Sequence, residues 1–229
     1  MLPWIRLDET TVPGGGVLTL MQRGTEYSIM SGTIELMNSR LAGSEEQLAL
    51  ISAQRLAGRL RPRILIGGLG MGFTLRAALK AFPADAGILV AELVPAVIAW
   101  ARGPLAGLHA DSLDDPRVAI HEGDVAAAIA ERQPFDAILL DVDNGPDGLS
   151  RPQNDRLYSE KGIATSRSAL RPGGHLAVWS SAPDARFTRR LRQSGMSTEE
   201  IPVRARASGK GGRHVLWFAT RQGIAPAKG

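Results

Sequence analysis

From residue 63 onward, short apolar runs of strand length take turns with segments of helical period, and this alternation restricts the fold more than any other feature. The strand candidates are 63–67, 87–92, 117–121, 135–141 and 174–180, with 213–220 near the end. Between them lie helix candidates at 72–81, 95–106, 124–132, 157–170 and 183–194. Strands separated by helices pair in parallel, and the crossover helices cover both faces of the sheet. The expected fold class is therefore α/β with a mostly parallel sheet. "RPGGH" at 171–175 is expected to turn from the fifth helix into the fifth strand.

The N-terminal stretch follows a different rule. "GGGVLTLMQRGTEYSIMSGTIELMNSR" holds short apolar or alternating runs, each broken by glycine, and predicts two or three small strands. Ser44 then opens "SEEQLALISAQRLAGRL". A serine with Gln47 three residues on is a capping-box pattern, and Leu48, Ile51 and Leu56 share one helix face. The expected division is a small β region over 1–43, an α/β domain over 44–222, and a frayed tail, "GIAPAKG", over 223–229.

Ligands of such sheets bind beyond the carboxyl ends of the strands, so the residues at those ends carry the chemistry. Here they are a glycine turn after the first α/β strand, then Glu92, Asp124 and Asp141 at or just beyond the next three. A dinucleotide fingerprint needs G-x-G-x-x-G, and counting from Gly68 puts Phe73 where the third glycine belongs. The spacing present, Gly68-Leu69-Gly70-Met71-Gly72, is G-x-G-x-G, common in folds that hold S-adenosylmethionine. Glycine permits both the positive φ of a tight turn and close backbone approach. Glu92, 20 residues after Gly72, suits a carboxylate that accepts ribose hydroxyls, and Asp124 in "HEGD" suits the adenine amino group. Each feature also has a plain structural reading: a tight connection, a solvated acid, and a cap for the helix "VAAAIAER". Their succession at consecutive strand ends favours the nucleoside site.

Composition narrows the remaining classes. Hydrophobic residues make up 44% and charged residues 22%, ordinary for a soluble globular protein, and the apolar runs are too short to span a membrane. With no cysteine there is no disulfide, thiolate metal site or cysteine nucleophile, which favours the cytoplasm. A net charge of +4 from 27 basic and 23 acidic residues is too small to point to nucleic acid. One basic stretch, "VRARASGKGGRH", carries Arg204, Arg206, Lys210, Arg213 and His214. It reads either as a solvated hairpin loop or as a contact for phosphate or an acidic substrate. His109, His121, His175 and His214 have no metal-ligand spacing, "GLSRPQ" is not a nucleophile elbow, and Trp100 and Trp179 are expected in the core.

Taken together, these residues resemble the spermidine synthase (polyamine aminopropyltransferase) family. Its strand followed by GGGDGGTLR runs without a gap onto Gly68 through Arg76. "ELVP" at 92–95 resembles E-I-D-P, "DDPRV" at 114–118 matches directly, and "GDV" at 123–125 stands where the family has G-D. "FDAILLDVDN" resembles Y-D-x-I-I-x-D-S-x-D, and "LYSEKGIATSRSALRPGG" is similar in register to L-Y-T-E-E-F-Y…A-L-K-P-G-G. The resemblance covers about 33–182. It implies a class I methyltransferase-like, Rossmann-like domain with seven strands behind a small β subdomain, often oligomerised, here as a homodimer. It also implies transfer of aminopropyl from decarboxylated S-adenosylmethionine to a small amine, without a metal. The implied donor site comprises Gly68, Gly70, Met71, Gly72, Glu92, Leu93, Asp124 and Val125, with Glu92 on ribose and Asp124 on adenine. Asp141 is the implied catalytic carboxylate, and Asp143, Asn144 and Tyr158 the implied acceptor side.

The chemistry gives Asp141 a reason to be acidic. An alkyl amine with a pKa near 10.4 is neutral in only roughly one molecule per few thousand at pH 7, and only the neutral lone pair attacks carbon. A carboxylate that holds the amine and accepts its proton supplies the nucleophile.

The departures fall on the acids. The family's glycine-turn Asp, which holds the donor's ammonium, is Met71 here, and the second acid of D-S-x-D is Asn144, with Asp143 one residue earlier. F-Y has become Gly162-Ile163, and the basic 203–214 stretch replaces an aromatic segment. Two unit charges 4 Å apart are worth about 4 kcal/mol at an effective dielectric near 20, so an acid in the turn would select the decarboxylated tail. Met71 exerts no such selection. Intact S-adenosylmethionine, and with it methyl transfer, therefore stays open beside aminopropyl transfer, and so does a non-catalytic nucleoside-binding role.

Overall fold

The computed structural model describes residues 2–131, 134–142, 146, 155–205 and 211–223. The N-terminal region forms an antiparallel four-stranded sheet, β1 (Ile5–Thr11), β2 (Val17–Arg23), β3 (Glu26–Ser31) and β4 (Ile34–Asn38), in that spatial order. Two or three strands were expected. The extra one comes from the polar segment "IRLDETT", whose pairing with β2 supplies the order that its composition does not.

Helix α1 (Gly43–Arg55) leads into the second sheet. There β5 (Arg63–Gly67), α2 (Phe73–Ala81), β6 (Gly87–Glu92), α3 (Pro95–Arg102), α4 (Ala106–His109), β7 (Val118–Glu122), α5 (Val125–Glu131) and β8 (Phe135–Leu140) follow in turn. After them come α6 (Asp155–Tyr158), α7 (Glu160–Ala169), β9 (Leu170–Ser180), α8 (Ala185–Gln193), β10 (Ser197–Arg204) and β11 (Arg213–Thr220). The strand order is β10-β11-β9-β8-β5-β6-β7. The five strands from β9 to β7 are mutually parallel, whereas β11 and β10 run antiparallel at one edge. This is a mixed, mostly parallel seven-stranded sheet with helices on both faces.

Period-two alternation divides its core. Ile64, Ile66, Val90, Ala137, Leu139, Leu216 and Phe218 face one layer, with Leu48 of α1, Leu75 of α2 and Trp100 of α3. Leu65, Ala91, Ile138, Leu140, Val178 and Trp217 face the other, with Ile129, Ile163 and Phe187 of α5, α7 and α8. Both Trp100 and Trp179 are buried, as expected. The Trp100 indole N–H donates to the Asp8 carboxylate at 2.6 Å, which ties the N-terminal sheet to α3.

Several expected boundaries move. The stretch 95–106 breaks at Gly103 into α3 and α4, and 157–170 breaks at Ser159, which caps α7 by accepting from Gly162 N–H. "RPGGH" lies inside β9 rather than in a turn. The pairing of β8 with β9 shifts register between Phe135 and Ala137, and a Cβ on Gly174 would come within 2.8 Å of the Asp136 carbonyl oxygen. The glycine permits that close bulge. Ser44 does not cap α1. The cap position is Ala42, without a side-chain bond, and Ser44 lies buried inside the helix.

Strand β8 is buried along its whole length, including Asp136. That carboxylate is ion-paired with Arg59 at 3.0 Å through Oδ1, and its Oδ2 accepts from Arg171 and from the Arg63 backbone N–H, each at 2.8 Å. No helix among the described residues is long and apolar enough to cross a membrane.

Candidate functional site

Strand order reverses between β5 and β8: from β5 the chain moves outward through β6 and β7, and from β8 it moves the other way to β9. A crevice opens beyond the carboxyl ends of the strands at such a point. Polar side chains of several strand ends converge there. One pocket is lined by Gly68, Gly70, Glu92, Leu93, Gly123, Asp124, Val125 and Asp141, with Leu18, Ile29, Leu36 and Met37 of the N-terminal sheet across from them.

The glycine turn is shaped by the protein itself. Gly68 has φ 89°, and a Cβ there would lie 2.4 Å from the Asp141 carbonyl oxygen. Gly72 has φ 77°, and a Cβ there would lie 2.4 Å from His109 Nδ1. Both positions thus require glycine before any ligand is considered. His109 is fully buried beneath the turn, and burial holds its imidazole well below the usual range, at about 4, so it packs as a neutral ring.

Glu92 fixes the turn from the other side. Its buried carboxylate accepts the Leu69 N–H through Oε2 and the Val94 N–H through Oε1, each at 2.9 Å. It therefore joins the turns after β5 and β6 while lining the pocket. Asp124 is exposed and accepts the Ala126 N–H at 2.8 Å in the first turn of α5. Capping and pocket lining are compatible, because a carboxylate has lone pairs for both.

Asp141 follows β8. Its Oδ2 accepts the Thr74 hydroxyl at 2.5 Å, and burial pushes the carboxyl up to about 6, against the lowering effect of that bond. Glu45, in the first turn of α1, was not foreseen. It is buried, and desolvation first, then the Asp141 charge, push it up to about 7. The Ser44 hydroxyl donates to Glu45 Oε2 at 2.5 Å and lies 2.8 Å from His214 Nδ1.

Other expected residues go elsewhere. The Met71 side chain is fully buried in the core and is not among the pocket-lining residues, and its backbone N–H points at the Met37 sulfur, 3.1 Å away. Tyr158 is buried edge-on to Phe187, with its hydroxyl 3.5 Å from the Val142 carbonyl oxygen. Asp143 and Asn144 lie outside the described residues, as do Arg206, Lys210 and all of the tail except Gly223. The described ends of the basic stretch meet α1: Gly43 N–H donates to the Ala205 carbonyl at 2.9 Å, and His214 reaches Ser44.

The raised carboxyls make a pH prediction. An acid that binds its proton more tightly when folded makes folding take up protons, so stability falls as pH rises from the unfolded to the folded pKa. For Glu45 that window runs from 4.5 to about 7, and for Asp141 from 3.8 to about 6. Glu45→Gln keeps an acceptor for Ser44 and removes the charge. Thermal unfolding should show it more stable than the parent at pH 8, by up to about 3 kcal/mol, and equal to it at pH 4. Equal stability at both pH values would show that Glu45 is not strained by its charge.

No family model matches the chain. In sequence it is 36% identical over 124 residues to the polyamine aminopropyltransferase of Mycobacterium tuberculosis strain H37Rv, covering 52% of this chain and 23% of that one. To the Nitrosomonas europaea enzyme of the same name it is 33% identical over 129 residues, covering 55% and 37%. The chain thus spans well under half the length of these curated relatives. In structure it is similar to spermidine synthase from Thermotoga maritima, with a TM-score of 0.75, 20% identity, and 97% and 75% of the two chains covered. A spermidine synthase in complex with the transition-state analogue AdoDATO gives 0.74 at 20% identity, covering 97% and 74%. The shared architecture is the class I methyltransferase-like fold with a small β sheet in front.

Proposed function

We propose that this chain, a divergent relative of the spermidine synthases in sequence and fold, moves an aminopropyl group from decarboxylated S-adenosylmethionine to a small amine. The observation that carries the reading is the meeting of the glycine turn, Glu92, Asp124 and Asp141 in one pocket at the point where strand order reverses. Glu92 takes the ribose hydroxyls and Asp124 the adenine amino group. Gly68, Gly70, Leu93 and Val125 give the nucleoside its walls, and the apolar side chains of Leu18, Ile29, Leu36 and Met37 exclude water above it.

In the reaction the amine nitrogen attacks the aminopropyl carbon bound to sulfur. The N–C bond forms as the C–S bond breaks, methylthioadenosine leaves, and the nitrogen's extra proton passes to Asp141. A carboxyl near 6 is ionised enough at neutral pH to accept a proton and basic enough to hold it. The sulfonium is already a good leaving group, so alignment does much of the remaining work.

One observation favours a second reading. Residue 71 is a methionine buried away from the pocket, so no acid there selects a decarboxylated tail, and methyl transfer from intact S-adenosylmethionine fits the same pocket. Calorimetry with decarboxylated S-adenosylmethionine, S-adenosylmethionine and methylthioadenosine separates the two. Tighter binding of the decarboxylated donor is expected. Preference for the intact donor would replace aminopropyl by methyl transfer, and binding of none of the three would remove the donor site. A cytoplasmic homodimer completes the proposal. It is supported by the absence of cysteine and by Ile5, Leu7, Val17 and Ile34, which stay exposed on the N-terminal sheet.

A further inference from the structure

Residue 71 gives the glycine turn no acid with which to select a decarboxylated tail, yet the turn is not left bare. We infer that Met37 makes the selection instead: its thioether covers the turn at Gly70 and Met71 and so excludes a donor that still carries its carboxylate. The inference rests on the transferase reading above and names the donor preference of the same pocket.

Strand β4 is shaped to put Met37 there. Neighbours along a strand ordinarily face opposite sides, but Leu36 and Met37 both line the pocket. The pairing of β3 with β4 shows why: Ile29 stands opposite Met37 and Met30 opposite Glu35, so Leu36 is an extra residue in β4. A bulge of this kind re-aims a side chain. Glu35 and Asn38, which flank the pair, do not line the pocket, and the Asn38 side-chain N–H donates to Glu35 Oε2 at 3.0 Å.

The side chain meets the turn at two places. Its sulfur accepts the Met71 backbone N–H at 3.1 Å. A Cβ on Gly70, where φ is 48°, would come within 2.6 Å of Met37 Cε and 2.7 Å of the sulfur, so the thioether lies directly on the backbone of the turn. Neighbouring amides have oxygen acceptors: Gly68 N–H has the Ala91 carbonyl at 2.8 Å, Leu69 N–H the Glu92 carboxylate, and Gly72 N–H the Leu69 carbonyl at 2.9 Å. Of these four, Met71 alone donates to a thioether, which is a weak acceptor. A carboxylate that reached this N–H would bind it far better than sulfur does. Met37 keeps that position closed.

The position matters because the donor's tail passes it. The turn and Asp141 enclose the same end of the pocket: Gly68 packs on the Asp141 backbone, and Thr74, in the first turn of α2, donates its hydroxyl to the Asp141 carboxylate. A sulfonium carbon that faces Asp141 therefore sends the rest of its chain along the turn. An intact donor would have to set its carboxylate against the Met37 thioether. The described lining there carries Glu92, Asp124 and Asp141 and no arginine or lysine. A carboxylate desolvated among acids, without a donor to pair with, is costly. The decarboxylated tail brings only a cation into the same acidic surroundings.

Calorimetry with S-adenosylmethionine, its decarboxylated form and methylthioadenosine, on the parent, Met37→Ala and Met37→Leu, tests the assignment. Methylthioadenosine has no tail, so it reports any packing that a variant loses. Met37→Ala bares the Met71 N–H and should raise the affinity for the intact donor relative to the decarboxylated one by about tenfold. Met37→Leu, which keeps apolar bulk on the turn, should keep the parent's preference. In NMR spectra of Met37→Ala, the Met71 N–H resonance should move downfield with S-adenosylmethionine and stay in place with methylthioadenosine. If methylthioadenosine binds but the donor ratio is the same in the parent and in Met37→Ala, the role of Met37 is overturned and the donor site stands. A parent that already prefers the intact donor would overturn it too. Failure of all three ligands to bind the parent would bring down the donor site itself, and the role of Met37 with it.

Discussion

Asp141→Asn is expected to lower turnover by about 10²–10⁴-fold while methylthioadenosine still binds as in the parent. Asparagine has the same shape, and its carbonyl oxygen can still accept the Thr74 hydroxyl, so the end of β8 keeps its geometry. What disappears is a pocket-lining acid whose proton affinity burial has raised toward neutrality. The amine would then have to lose its proton to water before attack. Steady-state kinetics with a diamine and calorimetry with methylthioadenosine check the two halves. Near-normal turnover would show that another group takes the proton.

Glu92→Ala should act on the donor instead. Hydrogen bonds to a charged group are worth about 1.5–3 kcal/mol, and a buried donor left without a partner costs about 1–3 kcal/mol. Both the Leu69 and the Val94 N–H lose their acceptor in this variant, and the turns after β5 and β6 lose their link. Affinity for methylthioadenosine should fall by about a hundredfold or more, with a lower unfolding temperature. Glu92→Gln, which keeps the shape but donates where it should accept, separates the charge from the packing. Unchanged affinity in both variants would remove Glu92 from the site.

The sequence made the ends of the parallel strands legible because they follow from local pattern. An apolar run of strand length followed by an acid or a glycine turn marks where the backbone leaves the sheet, and the ligand crevice lies at those exits. Strand β10 was not legible. "STEEIPVR" is mostly polar and contains Pro202, which a strand tolerates at a sheet edge, and β10 pairs with β11 alone. Glu45 was hidden for a different reason. An acid in the first turn of a helix ordinarily faces water and offsets the macrodipole. Its burial here depends on distant parts of the chain: the Thr74 hydroxyl of α2 lies 3.4 Å from its carbonyl oxygen, and His214 of β11 reaches the neighbouring Ser44. "SEEQ" therefore read as a cap, although the serine's bond runs sideways to the next residue. Met71 shows the converse. Its place in the turn was right, yet the turn's own geometry sends the side chain into the core, so Met37 from another sheet lines the pocket instead.

Strand β8 brings Asp136 in at one end and delivers Asp141 just past the other. Asp136 meets two arginines and a backbone N–H, whereas among the described residues no arginine or lysine bridges Asp141. Counter-charge therefore falls from one end of the strand to the other, and under the proposed function the uncompensated end is the one that takes part in the chemistry. A change at Asp136 would loosen the sheet without touching the chemistry, and a change at Asp141 would disarm the chemistry without loosening the sheet. On that reading durability and reactivity can be tuned separately by two acids five residues apart, one on the strand and one just past its end.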